Sequence, residues 1–177
     1  MRQITFLMAA SLIAALAGCL AVVPVALNRA AAPAATPARP WPAAAACPTP
    51  ARARADGAAV LALVNSQRRQ AGLPPLAASP GLTRAAQAMA CDLAAQGDIG
   101  HRGSDGSTLA ERLRRNGVAA GLMAENVASG QQSPEAVVQA WMASPHHRAN
   151  ILRPGLGFLG LGLADGAQPV WVLDLAS

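Results

Sequence analysis

Proline recurs at Pro33, Pro37, Pro40, Pro42, Pro48 and Pro50, and nothing else in this 177-residue chain restricts its folding as strongly. Each proline ring fixes φ and removes an amide donor, so neither a continuous helix nor a central strand can run through this stretch. The residues between the prolines are mostly alanine, with no apolar period from which a core could form. We read residues 19–55 as an extended, semi-rigid tether. Residues 56–177 then carry the packed domain, and roughly 120 residues suffice for a single core.

Beyond Asp56 the pattern becomes periodic. Val60, Leu61 and Val64 share one helical face, and Gly72 stands where that helix would stop. Ser79-Pro80 pairs an N-cap serine with a proline in the first turn. Leu82, Ala85, Ala86, Met89 and Leu93 follow at helical spacing, and Gly97 closes the element. A third helix is expected over 107–116, with Leu109 and Leu113 inward and Glu111 four residues ahead of Arg115. Ser133-Pro134 opens a fourth, which buries Val137, Ala140 and Trp141, and Ser144-Pro145 opens a short fifth. Strand signals fall at 123–128, 156–163 and 170–175, the last two joined through A-D-G-A-Q-P as a hairpin. Helices first and strands last indicate an α+β domain with a small, mainly antiparallel sheet.

The N-terminus carries an address. Arg2 precedes the apolar run I-T-F-L-M-A-A-S-L-I-A-A-L-A-G-C, a short positive region followed by a hydrophobic one. Leu16-Ala17-Gly18-Cys19 resembles the bacterial lipobox, which implies a signal peptide over 1–18, a lipid on Cys19 and a membrane anchor. The apolar run continues to Leu27, so an uncleaved membrane span and ordinary secretion are the alternatives. All three place the domain outside the cytoplasm. With Cys19 acylated, Cys47 and Cys91 remain as an even pair in an oxidising compartment, where a disulfide is expected. Two free thiols, with Cys91 as a small core residue, are the other possibility.

The charge is +5, carried by arginine without any lysine, while aromatics make up only 3% of the residues. Scattered arginines without stacking aromatics argue against a nucleic-acid partner. A general attraction to anionic envelope polymers or lipid headgroups fits better. Arg112, Arg114 and Arg115 read as a solvated helix face, and Trp141 and Trp171 as core. A monomer is expected.

Six polar residues are candidates for chemistry: His101, Glu125, Asn126, Ser144, His146 and His147. Adjacent helical residues diverge by about 100°, so His146 and His147 are poorly placed to clasp one ion together. A two-histidine site would need His101. Near a helix start the positive end of the dipole disfavours a charged ring, leaving a neutral imidazole suited to metal ligation or general-base work. These residues alone are equally compatible with surface polar groups.

The run W-M-A-S-P-H-H-R-A-N-I-L resembles the bacterial signature W-x-x-S-P-G-H-R-x-N-I-L of the CAP superfamily, shared by cysteine-rich secretory proteins, antigen 5 and pathogenesis-related 1 proteins. Further matches run in the family's order over Gly57 to Leu175: V-N-S-Q-R-R-Q-A-G-L-P-P-L, A-A-Q-A-M-A, His101 ahead of G-S-D-G-S-T-L-A-E-R-L-R-R-N-G, A-E-N-V-A-S-G, F-L-G-L-G-L-A and P-V-W-V-L-D-L. The resemblance implies an α-β-α sandwich whose cleft is faced by His101, Glu125 and His147, with His146 in the family's usual glycine position. Ser144 stands where many eukaryotic members carry a second glutamate, so a two-carboxylate acid/base mechanism is not supported.

Two neutral imidazoles, His101 and His147, with Glu125 nearby suit a divalent ion such as Zn²⁺ with open positions. Glu125 is also the candidate catalytic residue, orienting a metal-bound water. No serine or cysteine has an activating context for nucleophilic catalysis. The leading expectation is therefore a binding cleft that engages an envelope, lipid, sterol or protein ligand. A metal-dependent hydrolase of peptides or envelope polymers and a purely structural envelope protein are the alternatives.

Overall fold

The computed structural model describes residues 47–177 except Ala167. The expected signal peptide, the acylated Cys19 and most of the tether lie outside the described residues.

Among the described residues, five helices and four strands follow one another as α1 (Ala53–Gln70), β1 (Ala77–Ala78), α2 (Pro80–Gln96), α3 (Leu109–Arg115), β2 (Met123–Ser129), α4 (Pro134–Ala143), α5 (Pro145–Ile151), β3 (Phe158–Ala164) and β4 (Val170–Ala176). The sheet order is β1-β3-β4-β2; only the β1–β3 pairing is parallel. Period-two alternation divides the strand residues between two cores. Trp171, Leu173 and Leu175 pack with Val60 and Val64 of α1 and Val137 and Trp141 of α4. Val170 and Val172 pack with Ala86, Met89 and Leu93 of α2. The result is the expected α-β-α sandwich, with Trp141 and Trp171 both fully buried.

The serine-proline signals act as expected at two of three sites. Ser79 Oγ accepts from the Leu82 amide and Ser133 Oγ from the Ala136 amide. Gly72 and Gly97 adopt left-handed φ values of 71° and 70° at the ends of α1 and α2. Ser144 occupies the N-cap position of α5, but its side chain makes no capping bond. The third helix begins at Leu109, two residues later than expected, because Thr108 and Glu111 form a capping box. That use of Glu111 replaces the expected pairing with Arg115, whose guanidinium bonds Asp105 instead, at 2.6 Å.

α1 starts at Ala53, three residues ahead of the expected domain boundary. Arg52 bonds Asp56 and Asp165, both at 2.7 Å, and lies over the Trp171 ring. Cys47 is bridged to Cys91, with the Cα atoms 5.6 Å apart. The segment entering α1 is thus fastened to α2. In a chain-entropy account, closing a loop of this length stabilises the fold by about 4 kcal/mol.

Two devices position α2 and α5. At Gly160 and Gly162 of β3, an added Cβ would collide with the α2 backbone at Leu82–Thr83 and Ala86–Gln87, so only glycine lets this helix lie directly on the strand. β1 covers only the start of the β3 edge. Further along, the Gln87 amide takes over, donating to the Leu163 carbonyl at 2.8 Å and accepting from its amide at 3.0 Å. On the other face, Arg68 is fully buried and donates to the carbonyls of Pro74, Ile151 and Arg153, tying the end of α1 to the end of α5.

Candidate functional site

β2 is an edge strand, and the site forms along it where elements from both faces of the sheet arrive. Its side chains alternate. Ala124 and Ala128 join the core beneath α1 and α4, while Val127 and Met123 pack toward α2 and α3. Glu125 has the parity of Val127 and Met123, so its carboxylate points into the α2–α3 side.

Both Glu125 oxygens are engaged there. His101 Nδ1 lies 2.9 Å from Oε1, and Arg112 donates through Nη2 to Oε2 in an ion pair whose side chains are 0% and 3% exposed. Arg112 also donates through Nη1 to the carbonyls of His101 (3.1 Å) and Ser107 (3.0 Å). One guanidinium therefore holds the carboxylate and the loop that presents the histidine. Asp92 fixes the same loop by accepting from the Ser104 amide at 2.6 Å. Arg112 does not belong to the solvated face expected for it. It lies three residues from Leu109, on the inward side of α3, and it is buried because a buried carboxylate needs a counter-charge.

A second carboxylate lies beside the first. Asp174 is directly opposite Glu125 in the β2–β4 register and is fully buried. Neither of its oxygens receives a hydrogen bond from a donor group. Burial, and then the charge of Glu125, push its carboxyl well above the usual range, while Arg112 works in the opposite direction. One guanidinium cannot neutralise two buried carboxylates, and Asp174 is the one pushed toward its protonated form. The absent glutamate at Ser144 is thus not the whole inventory: a carboxyl pair exists, with Glu125 at the sheet-edge cleft and Asp174 fully buried behind it.

α5 is stitched to β2 from the opposite face. Asn126, fully buried, donates to the His147 carbonyl at 3.0 Å and accepts from Asn150 at 2.9 Å. Asn150 Nδ2 also reaches the Glu125 carbonyl at 3.3 Å. Asn126 therefore braces α5 against β2, with its amide spent on His147 and Asn150. His147 is half-buried and His146 exposed. Burial lowers the pKa of His147, and the charges of His101 and His146 lower it further. The hydrogen bond from Glu125 raises that of His101 despite partial burial. The two rings are therefore close enough for their charges to interact, yet are tuned in opposite directions.

The cleft at this edge has a volume of about 450 Å³. His101 and Arg102 provide its polar side and Leu109 and Met123 its apolar wall, with Glu125 on the floor. The His101 side chain is 62% exposed. Ser144 and His147 do not line this cleft. Among the described residues, no group of three or more His, Cys, Asp or Glu side chains is placed to hold a metal ion. The reason is local. Glu125 spends one oxygen on His101 and the other on Arg112, and that guanidinium disfavours a cation against the carboxylate. Glu125 does not fit the role of a metal ligand; the two imidazoles are what remains of the expected donor set.

Sequence reasoning missed Arg112 and Asp174. Each leaves a signal: an arginine on the apolar stripe of an amphipathic helix, and an aspartate within the otherwise apolar run V-W-V-L-D-L.

The α-β-α sandwich defines a class of domain that known proteins share. Residues 61–175 match the CAP, cysteine-rich secretory protein family, and the chain belongs to that family. It is 32% identical over 112 residues to the uncharacterized protein YkwD of Bacillus subtilis, covering 63% of this chain and 43% of the relative. An extracellular protein containing an SCP domain from Bacillus anthracis superposes with a TM-score of 0.66 at 26% identity, over 70% of this chain and 40% of that one. An outer surface protein of Borrelia burgdorferi shares the fold, with a TM-score of 0.62 at 22% identity, over 67% and 89% of the two chains. This chain thus spans less than half the length of the two Bacillus proteins.

Proposed function

We propose that this chain is an exported envelope protein, tethered at a membrane by its N-terminal segment, whose sheet-edge cleft binds a ligand without turning it over. Export is supported by the apolar, lipobox-like N-terminus and by the description of the Bacillus anthracis neighbour as extracellular. The observation that carries the binding reading is the state of Glu125. With both oxygens engaged and its side chain 3% exposed, it is a support for His101, not a free base for a substrate. His101 is the group presented outward, inclined toward its charged form beside Arg102 and above an apolar wall. Such a cleft suits an amphipathic ligand with an acidic group at His101 and its hydrocarbon part on Leu109 and Met123, as an envelope lipid would offer.

The three histidines make this testable by NMR. Titration with octanoate should shift the His101 ring signals saturably, and His101→Ala should abolish the response of the neighbouring Met123 methyl. An identical Met123 response in that variant contradicts the reading. A second reading keeps a divalent ion on His101 and His147 alone. It is supported by the hydrogen bond that engages the largely exposed His101 ring at Nδ1, as in carboxylate–histidine pairs behind metals. Zn²⁺ should then perturb both rings and leave His146 untouched, with His147→Ala removing the ion. Equal zinc content in wild type and in a His101→Ala/His147→Ala protein excludes it.

A further inference from the structure

Away from the histidine cleft, α2, α3 and the segment entering α1 enclose a second groove. Arg54, Arg84 and Arg115 line it, together with Thr83, Ala88 and the Cys47–Cys91 bridge. No aspartate or glutamate is among the described residues that line it. Arg115 is paired with Asp105, and buried Arg112 behind it with Glu125. Arg54 and Arg84 are exposed and enter no ion pair among the described residues; Arg84 donates only to the Asn116 carbonyl, at 3.0 Å. The acid of α2 itself, Asp92, is 2% exposed and turned to the Ser104 amide, so it offsets nothing on the surface.

The groove is also where the preceding chain leaves the domain. Cys47, where the described residues begin, is bridged to α2 on this face, so the 46 residues that precede it in the sequence join the domain here. A domain tethered through that segment is attached beside these arginines, and an extended spacer by itself leaves open which face meets the membrane. Arginines clustered around the exit add an electrostatic term of the kind that juxtamembrane basic residues supply, which decays within a Debye length of the surface.

We propose that the groove face formed by α2 and the first turn of α1, carrying Arg84 and Arg54, is a docking surface for anionic lipid headgroups, which orients the domain on its membrane. The opposite layer, with α4 and α5, then faces away from the bilayer. The proposal rests on the tethered reading above, and the test separates the two.

The full chain is reconstituted with phosphatidylcholine vesicles, with or without phosphatidylglycerol. An environment-sensitive fluorophore is attached at Ala88 on the docking face, or at Glu135 on α4 as control. Co-flotation with neutral vesicles reports the tether alone. For the docking face, emission at position 88 should rise only on anionic vesicles and fall again in high salt, with position 135 unchanged. Each arginine contributes roughly five-fold to surface association, so Arg54→Gln/Arg84→Gln should lower the shielded-to-exposed ratio roughly 25-fold. Equal shielding on neutral and anionic vesicles overturns the proposal, as does shielding that survives the double substitution. Shielding by soluble polyphosphate but not by the anionic vesicles overturns the lipid assignment as well.

Discussion

Arg112 is the residue on which the cleft depends. It neutralises Glu125 and fastens the backbone of the His101 loop, so truncation leaves a buried carboxylate without its partner. Arg112→Ala should lower unfolding free energy by about 3–5 kcal/mol in denaturant titration. A loss under 1 kcal/mol would mean that Glu125 is not held as an ion. Asp174 gives a prediction of the opposite sign. Its folded-state pKa is raised, so its stabilising contribution is complete below the unfolded carboxyl pKa and is lost as pH rises toward the folded value. Asp174→Asn keeps the size of the side chain and cannot ionise. The variant should gain on wild type as pH climbs above 4, by up to about 1.4 kcal/mol per pH unit. Parallel stability–pH curves for the two proteins would contradict a protonated Asp174.

At the scale of elements, the caps and stops were legible because they are local chemistry. Serine with proline at helix starts, glycine at helix ends and a polar hairpin link all act within a few residues of themselves. β1 was not legible, since two alanines carry no strand signal and become a strand only by pairing in parallel with Phe158 and Leu159. The pairing of Glu125 with Asp174 was hidden for the same reason: it depends on a register between segments nearly fifty residues apart. His101, Glu125 and His147 were grouped by resemblance; in the structure His101 and Glu125 are hydrogen-bonded, while His147 stands on α5 outside that pair. Gly160 and Gly162 show how closely α2 and the sheet approach. Gly162→Ala should destabilise by at least 1–3 kcal/mol in thermal or denaturant unfolding, because the added methyl meets helix backbone that cannot yield as a side chain can. A neutral effect would show that α2 stands further from β3.

Over the whole molecule, two attachments define how the domain is presented. The Cys47–Cys91 bridge ties the exit of the preceding chain to α2, and Cys91→Ala should cost about 2–4 kcal/mol in the oxidised protein. Adding a thiol reductant should impose the same loss on wild type and none on the variant. The other attachment is the meeting of the two sheet faces over β2, where His101 and His147 arrive from opposite layers into different electrostatic surroundings. That difference is the central claim, and imidazole NMR titration of the intact chain measures it directly, with the three histidines assigned by single substitutions. The His101 pKa should lie above 6.5, raised by its hydrogen bond to Glu125, and that of His147 below 6.5, lowered by burial. Titration of both rings at a common, ordinary value, or in the reverse order, would contradict the account.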